Sequence, residues 1–226
     1  AGDCQPRVGR APCWSAPRAP GAQPVPPGPF PMPAAPATDF PVAVVALDFD
    51  QTLAVRDTAL DHLADVVTHV FGGEARYKGL DAWLRELHAQ GVLLAIVSRN
   101  ARQILRRAVD SAGWADLFHG RVYGREDVEW DSMMHARKSV CVRKRLVEPF
   151  GMRAEDVLFV DDDAKQCAEV ERHLPGASTR HVEGRRGLSD ADMAAVRAWA
   201  RGRAEAARNG RRPERGTVLV PDAVLS

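Results

Sequence analysis

Five acidic side chains, a serine and a lysine stand where they could do chemistry together: Asp48 and Asp50, Ser98, Lys138, and the triplet Asp161, Asp162 and Asp163. The first acids follow the apolar run 42–47, Ser98 follows the run 92–97, and the triplet follows the run 157–160. Continuous apolar runs of this length read as strands buried in a parallel sheet. In an open α/β sheet, residues just past the carboxyl ends of the strands face the binding crevice. Carboxylates gathered there repel one another and lose hydration unless a cation or protons come in. Hard oxygen donors suit Mg²⁺, which keeps several waters and takes a substrate phosphate as a further ligand. A hydroxyl at Ser98 and an ammonium at Lys138 would complete a cradle for a phosphoryl group. The chemistry these residues describe is phosphoryl transfer.

The elements that must position them alternate along the chain. After the first strand, residues 58–71 and about 80–90 have the apolar spacing of helices, stopped at Gly72-Gly73 and at Gly91. Beyond the strand 92–97, residues 101–112 read as a helix, 118–123 as a short strand and 139–148 as a helix that begins beside Lys138. The strand 157–160 is followed by a helix at 164–174, an edge strand at 177–182 and a helix at about 190–202, which Ser189 and Asp192 cap. This order implies an α/β fold with a doubly wound, mostly parallel sheet and right-handed crossovers.

The residues also resemble a known family. Asp48-Phe49-Asp50-Gln51-Thr52 resembles the D-x-D-x-T motif of the haloacid dehalogenase-like (HAD) superfamily of phosphatases. Ile96–Asn100 is similar to its second motif, Lys138 to its third, and Phe159–Asp163 to its fourth. Each motif alone recurs by chance, whereas four in order over residues 42–183 are specific. Within the superfamily the likeness is greatest to the magnesium-dependent phosphatase group. Gln51 departs from the Gly, Glu or Tyr familiar at that position, and the insertion 125–137 before the lysine is unusual. The resemblance implies a Rossmann-like core and a phosphatase using Mg²⁺. Asp48 would be the nucleophile and Asp50 the acid and base. Ser98, Arg99 and Lys138 would hold the phosphoryl group. Asp48, the Asp50 main-chain carbonyl and Asp162 would hold the metal, with Asp161 and Thr52 supporting them from behind. Spacing leaves the choice between Asp161 and Asp162 open; the resemblance favours Asp162. Sharing one ion requires the Asp48 and Asp162 carboxylates to lie within about 5 Å.

About 45 residues separate Thr52 from Ser98, and Ser98 lies 40 before Lys138. The expected helices and strands consume both gaps, which leaves no room for a sizeable cap. An open site suits bulky phosphoprotein-like substrates or assorted small phosphates. Two further readings stand beside the phosphatase: a catalytically silent HAD-fold binding module, and a polynucleotide 3′-phosphatase, which a basic groove beside the site would favour. Lys144, between Arg143 and Arg145, competes for the lysine role but sits mid-helix on a basic face.

Composition divides the 226 residues into three stretches. Residues 1–40 form a Pro- and Ala-rich head; twelve of the 16 prolines lie in 1–41. Such a segment cannot build a core and reads as disordered. Residues 41–203 form the phosphatase-like domain, and 204–226 an Arg-rich tail read as disordered. The whole chain carries a net charge of +1, yet residues 39–200 hold 22 basic and 26 acidic residues. That balance argues against a nucleic-acid partner. The expected partner is a phosphorylated protein or small molecule. No apolar run approaches the roughly 20 residues of a membrane span. The four cysteines lack zinc-site spacing and read as free thiols of a reducing compartment. A cytoplasmic location is expected, with organelle targeting through a trimmed start as the alternative.

Overall fold

The computed structural model describes residues 41–209, so the readings of 1–40 and of 210–226 as tails lie outside the described residues. Its centre is a five-stranded sheet in the order β3-β2-β1-β6-β7. The strands are β1 (Ala43–Leu47), β2 (Val92–Val97), β3 (Val122–Tyr123), β6 (Val157–Asp161) and β7 (Ser178–His181). Every pairing in it is parallel. The chain leaves β1 for β2 and β3 on one side and then crosses to β6 and β7 on the other. The crevice at the carboxyl end of β1 is therefore the switch point of a doubly wound, Rossmann-like α/β fold.

Alternation along the strands assigns each helix to a face. Val45, Leu47, Leu94, Ile96 and Val160 pack with α2 (Glu74–Ala89), α3 (Arg102–Ser111) and α7 (Asp190–Arg208). Val44, Ala46, Ala95, Val97 and Phe159 pack with α5 (Lys138–Val142), its continuation Arg143–Val147, and α6 (Ala164–His173). Both faces are covered, which is why these strands read as unbroken apolar runs. Trp83 fills the first layer, fully buried, with its indole N–H donating to the Met193 carbonyl at 3.2 Å. Trp83→Ala is expected to lower stability by about 3–5 kcal/mol, seen as a lower urea midpoint at unchanged slope.

Four sequence expectations are corrected. Residues 58–71 do not form one helix: a 3₁₀ turn at Leu60–Ala64 precedes the single turn α1 (Val66–His69). Asp65 breaks the run, because its carboxylate accepts from the Thr68 N–H and caps α1 instead of continuing a helix. Helix α2 starts at Glu74, after Gly73 at φ 111, earlier than apolar spacing indicated. Residues 115–123 hold the turn α4 (Ala115–Phe118), left-handed His119 and Gly120, and only then the two-residue β3. Helix α7 runs to Arg208, past the expected end near 202 and into the stretch read as tail. Alanine, arginine and glutamate after Trp199 are good helix formers and carry it on. The unusual insertion forms a small antiparallel hairpin, β4 (Glu129–Trp130) with β5 (Ala136–Arg137). Among the described residues no cap domain stands over the β1 end.

Candidate active site

Asp48 is the first residue after β1. Its N–H donates to the Val160 carbonyl at 2.8 Å, which extends the sheet by one bond and fixes the side chain at the crevice. The chain then tightens through Phe49–Leu53, where Gln51 adopts φ 59. A left-handed conformation costs a residue with a side chain about 1–2 kcal/mol, the physical reason glycine suits this position. The Gln51 amide donates to Asp57 at 2.7 Å and holds the turn. The segment 183–188 closes on it from the other side: the Gly187 and Leu188 N–H groups donate to the carbonyls of Gln51 and Thr52 at 3.0 and 2.7 Å. Gly187 has φ 79, and a Cβ there would stand 3.0 Å from the Thr52 carbonyl oxygen. A side chain at 187 would push this segment, and Arg185 with it, away from the site.

Lys138 opens α5 and is fully buried, its ammonium 2.6 Å from Asp48 Oδ1 and 2.7 Å from Asp161 Oδ2. Burial alone would lower its pKa, but the charges of Asp48 and Asp161 prevail and hold it above the ordinary lysine value. Asp161 is pushed up to about 7, by burial first and then, against the pull of Lys138, by the like charge of Asp48. Asp162, half-buried, is raised for the same two reasons. Asp48, Asp161 and Asp162 each bring a carboxylate oxygen within 4.8 Å of the others. Three carboxylates thus share one ammonium, and the deficit of two positive charges, with oxygen donors only, fits a divalent hard cation. Asp161 has both oxygens engaged, one by Lys138 and one by the Asp163 N–H at 2.8 Å. Asp162 lines the open cavity, with Arg185 Nε 3.8 Å away.

Asp50 stands apart from this cluster. The Thr58 N–H donates to its Oδ1 and the Asn100 amide to its Oδ2, each at 2.8 Å. Asn100 is itself pinned, donating to the Thr58 carbonyl at 2.8 Å. Burial raises the Asp50 pKa to about 6 despite these bonds, which favour the charged form. A carboxyl poised there carries a proton for a useful fraction of the time near neutrality. Ser98 is buried at the end of β2, its hydroxyl oxygen accepting from the Asn100 N–H at 3.3 Å. Arg99 is half-exposed, 3.4 Å from Asp163. Together Asp48, Asp50, Ser98, Arg99, Asp162 and Arg185 line a cavity of about 490 Å³.

No protein-family model and no curated protein matches the sequence. Solved structures similar to the chain include ones described as phosphatases, HAD domains and an L-2-haloacid dehalogenase. The N-terminal part of a Bacteroides fragilis protein, which contains a phosphatase domain and is complexed with Mg, has a TM-score of 0.49 at 19% identity. That match covers 63% of this chain, and the chain spans only 36% of that one. The HAD domain of the Legionella pneumophila effector Lem4 has a TM-score of 0.48 at 13% identity, over 75% of this chain and 97% of that one. A 3-deoxy-D-manno-octulosonate 8-phosphate phosphatase from Moraxella catarrhalis, in complex with magnesium and phosphate ions, scores 0.45 at 17%, over 75% and 93%.

Of the residues singled out in the sequence, Asp48, Asp161, Asp162 and Lys138 form one cluster, and Asp50, Ser98 and Arg99 share the cavity with it. Thr52 is fully buried, and its hydroxyl bonds to no described residue; its carbonyl accepts from Leu188 instead. Asp163 caps α6 by accepting from the Lys165 N–H. Lys144 is exposed and pairs with Glu129 at 2.7 Å, away from the acids. Sequence reasoning passed over Asn100 and Thr58, which fix Asp50, and Arg185, which borders the cavity. Asn100 had a signal: an amide two residues past Ser98 lies on the same crevice edge. Thr58 and Arg185 had none, since loops from opposite ends of the domain bring them in. No helix among the described residues is long and apolar enough to cross a membrane.

Proposed function

We infer that this chain is a HAD-type phosphatase that hydrolyses phosphomonoesters with the help of Mg²⁺. The observation that carries the reading is the buried Lys138 ammonium held between Asp48 and Asp161, beside the separately held carboxyl of Asp50. Asp48 Oδ1 is committed to the lysine, leaving the other oxygen for attack on phosphorus. As the Asp48–phosphorus bond forms, the ester P–O bond breaks and the leaving oxygen takes a proton from Asp50. Asp50 then accepts a proton from a water whose oxygen attacks phosphorus, releasing phosphate and restoring Asp48. Ser98 and Arg99 would hold the phosphoryl oxygens, and Lys138 would hold the Asp48 carboxylate in position. Asp48, Asp162 and the Asp50 carbonyl would hold Mg²⁺, which when bound would offset phosphoryl charge.

The test is turnover of p-nitrophenyl phosphate by the full chain with Mg²⁺ and with EDTA. A rate that chelation leaves unchanged ends the reading. The pH profile provides a second check. Asp50 must be protonated to serve as acid, so with its pKa near 6 the log of kcat/KM should fall as pH rises past that value. The fall should be steep for an alkyl phosphate, whose leaving group needs the proton. It should be shallow for p-nitrophenyl phosphate, whose leaving group does not.

A further inference from the structure

A second cavity, a groove of about 570 Å³, runs beside the first between α6 and the β4–β5 hairpin, and Arg99 lines both. Lys165 and Arg172, seven residues apart on one face of α6, line it from one side and Arg137 of β5 lines it from the other. All three are exposed, and none makes an ion pair with a described residue. The acids in the groove are already taken. Asp131 accepts from the Met133 and His135 N–H groups and from the His135 ring. Asp163 holds the Lys165 N–H and Arg99. Glu169 holds the Ser139 N–H and hydroxyl and the His173 ring. Glu129, across the hairpin from Arg137, is bound by Lys144. Gln166 also lines the groove; the residue is 6% exposed and its Oε1 has no partner among the described residues. Three unpaired cations and the buried, unpartnered Oε1 of Gln166 therefore line a groove beside the Asp48 cavity, on a domain whose overall balance is acidic.

We propose that this groove binds a second phosphate carried by the leaving group of the substrate, so that the preferred substrates are compact bisphosphates. The proposal rests on the phosphatase reading of the neighbouring cavity and specifies its substrate class. Arg99 is the shared wall, so an ester seated with one phosphate at Asp48 would extend past Arg99 and point its other phosphate toward Arg137, Lys165 and Arg172. A phosphate with several charge-assisted donors gains more than one with water alone. The Gln166 amide adds a partner for a sugar hydroxyl. The net negative charge of residues 39–200 disfavours a polynucleotide as the source of that second phosphate.

The experiment compares fructose 1,6-bisphosphate with fructose 6-phosphate on the full chain with Mg²⁺, using wild type and R137Q/K165Q/R172Q. Wild type should show kcat/KM at least about tenfold higher for the bisphosphate. The triple variant, altered only at exposed positions, should lose that preference and keep its p-nitrophenyl phosphate turnover. A wild-type ratio near one, or a preference that survives the three substitutions, overturns the proposal. So does faster turnover of a 3′-phosphorylated oligodeoxynucleotide, or of an acid-flanked phosphoserine peptide, than of the bisphosphate. Should p-nitrophenyl phosphate not be hydrolysed at all, the phosphatase reading fails by itself. Calorimetric binding of the two sugar phosphates to wild type and triple variant then decides the groove: equal affinities overturn it, and a bisphosphate preference lost in the variant supports it.

Discussion

Asp48→Asn is expected to reduce kcat on p-nitrophenyl phosphate about 10⁴-fold, equivalent to ~5.4 kcal/mol of barrier. The amide cannot attack phosphorus to give an acyl phosphate, so the route through a covalent intermediate closes. The substitution should nevertheless fold. Asp48 Oδ1 accepts from Lys138 at 2.6 Å, and an asparagine oxygen can accept the same bond, while Asp161 still neutralises the ammonium. Removing one of three clustered carboxylates also relieves repulsion, so thermal stability without metal should fall little. Asp57→Asn provides the comparison: Asp57 lines the same cavity but is exposed and serves to hold Gln51. Its activity should stay within a few-fold of wild type. A tenth or more of wild-type activity left in Asp48→Asn, with folding intact by circular dichroism, would rule out Asp48 as nucleophile.

The positions of these groups were readable because the sheet that carries them is buried on both faces. An apolar run such as Val92–Val97 has one interpretation in a chain of this length, and its end marks where a polar residue meets the crevice. Strand ends therefore located Asp48, Ser98 and Asp161–Asp163 without knowledge of any contact between them. What lay outside that signal was set by tertiary contact. Residues 58–71 have helical apolar spacing, yet Asp65 caps a new turn there, and Thr58, ahead of the first turn, donates its N–H to Asp50. The segment 183–188 carries no apolar pattern at all; it is placed by two backbone bonds to the β1 turn, which only the folded chain supplies. The choice between Asp161 and Asp162 was equally closed to spacing. In the fold, Asp161 has one oxygen engaged by Lys138 and the other by the Asp163 N–H, while Asp162 lines the cavity. Asp162 is thereby the freer oxygen donor toward the cavity.

Lys138→Met should be among the most damaging single changes to the folded protein. The ammonium is 1% exposed and lies within 2.7 Å of two buried carboxylates. Removing one partner of such a cluster costs about 3–5 kcal/mol, because it leaves uncompensated charge on buried carboxylates. Methionine fills the same space, so a cavity contributes little and the loss reports electrostatics. The sign of the pH dependence follows from Asp161, whose pKa is already raised to about 7 and rises further when its counter-charge goes. A carboxyl with a raised folded-state pKa is penalised above that value and relieved as it takes up a proton. The deficit relative to wild type should be greatest at pH 8 and shrink on acidification through pH 7 toward 5. Mg²⁺ should narrow it too, since a divalent cation among Asp48, Asp161 and Asp162 supplies the charge the lysine no longer does. Urea melts at pH 8 and pH 5.5, each with and without Mg²⁺, measure all three effects. A deficit that ignores both pH and metal would mean that Lys138 acts there through packing, and that the acids around it are not a charge cluster waiting for a cation.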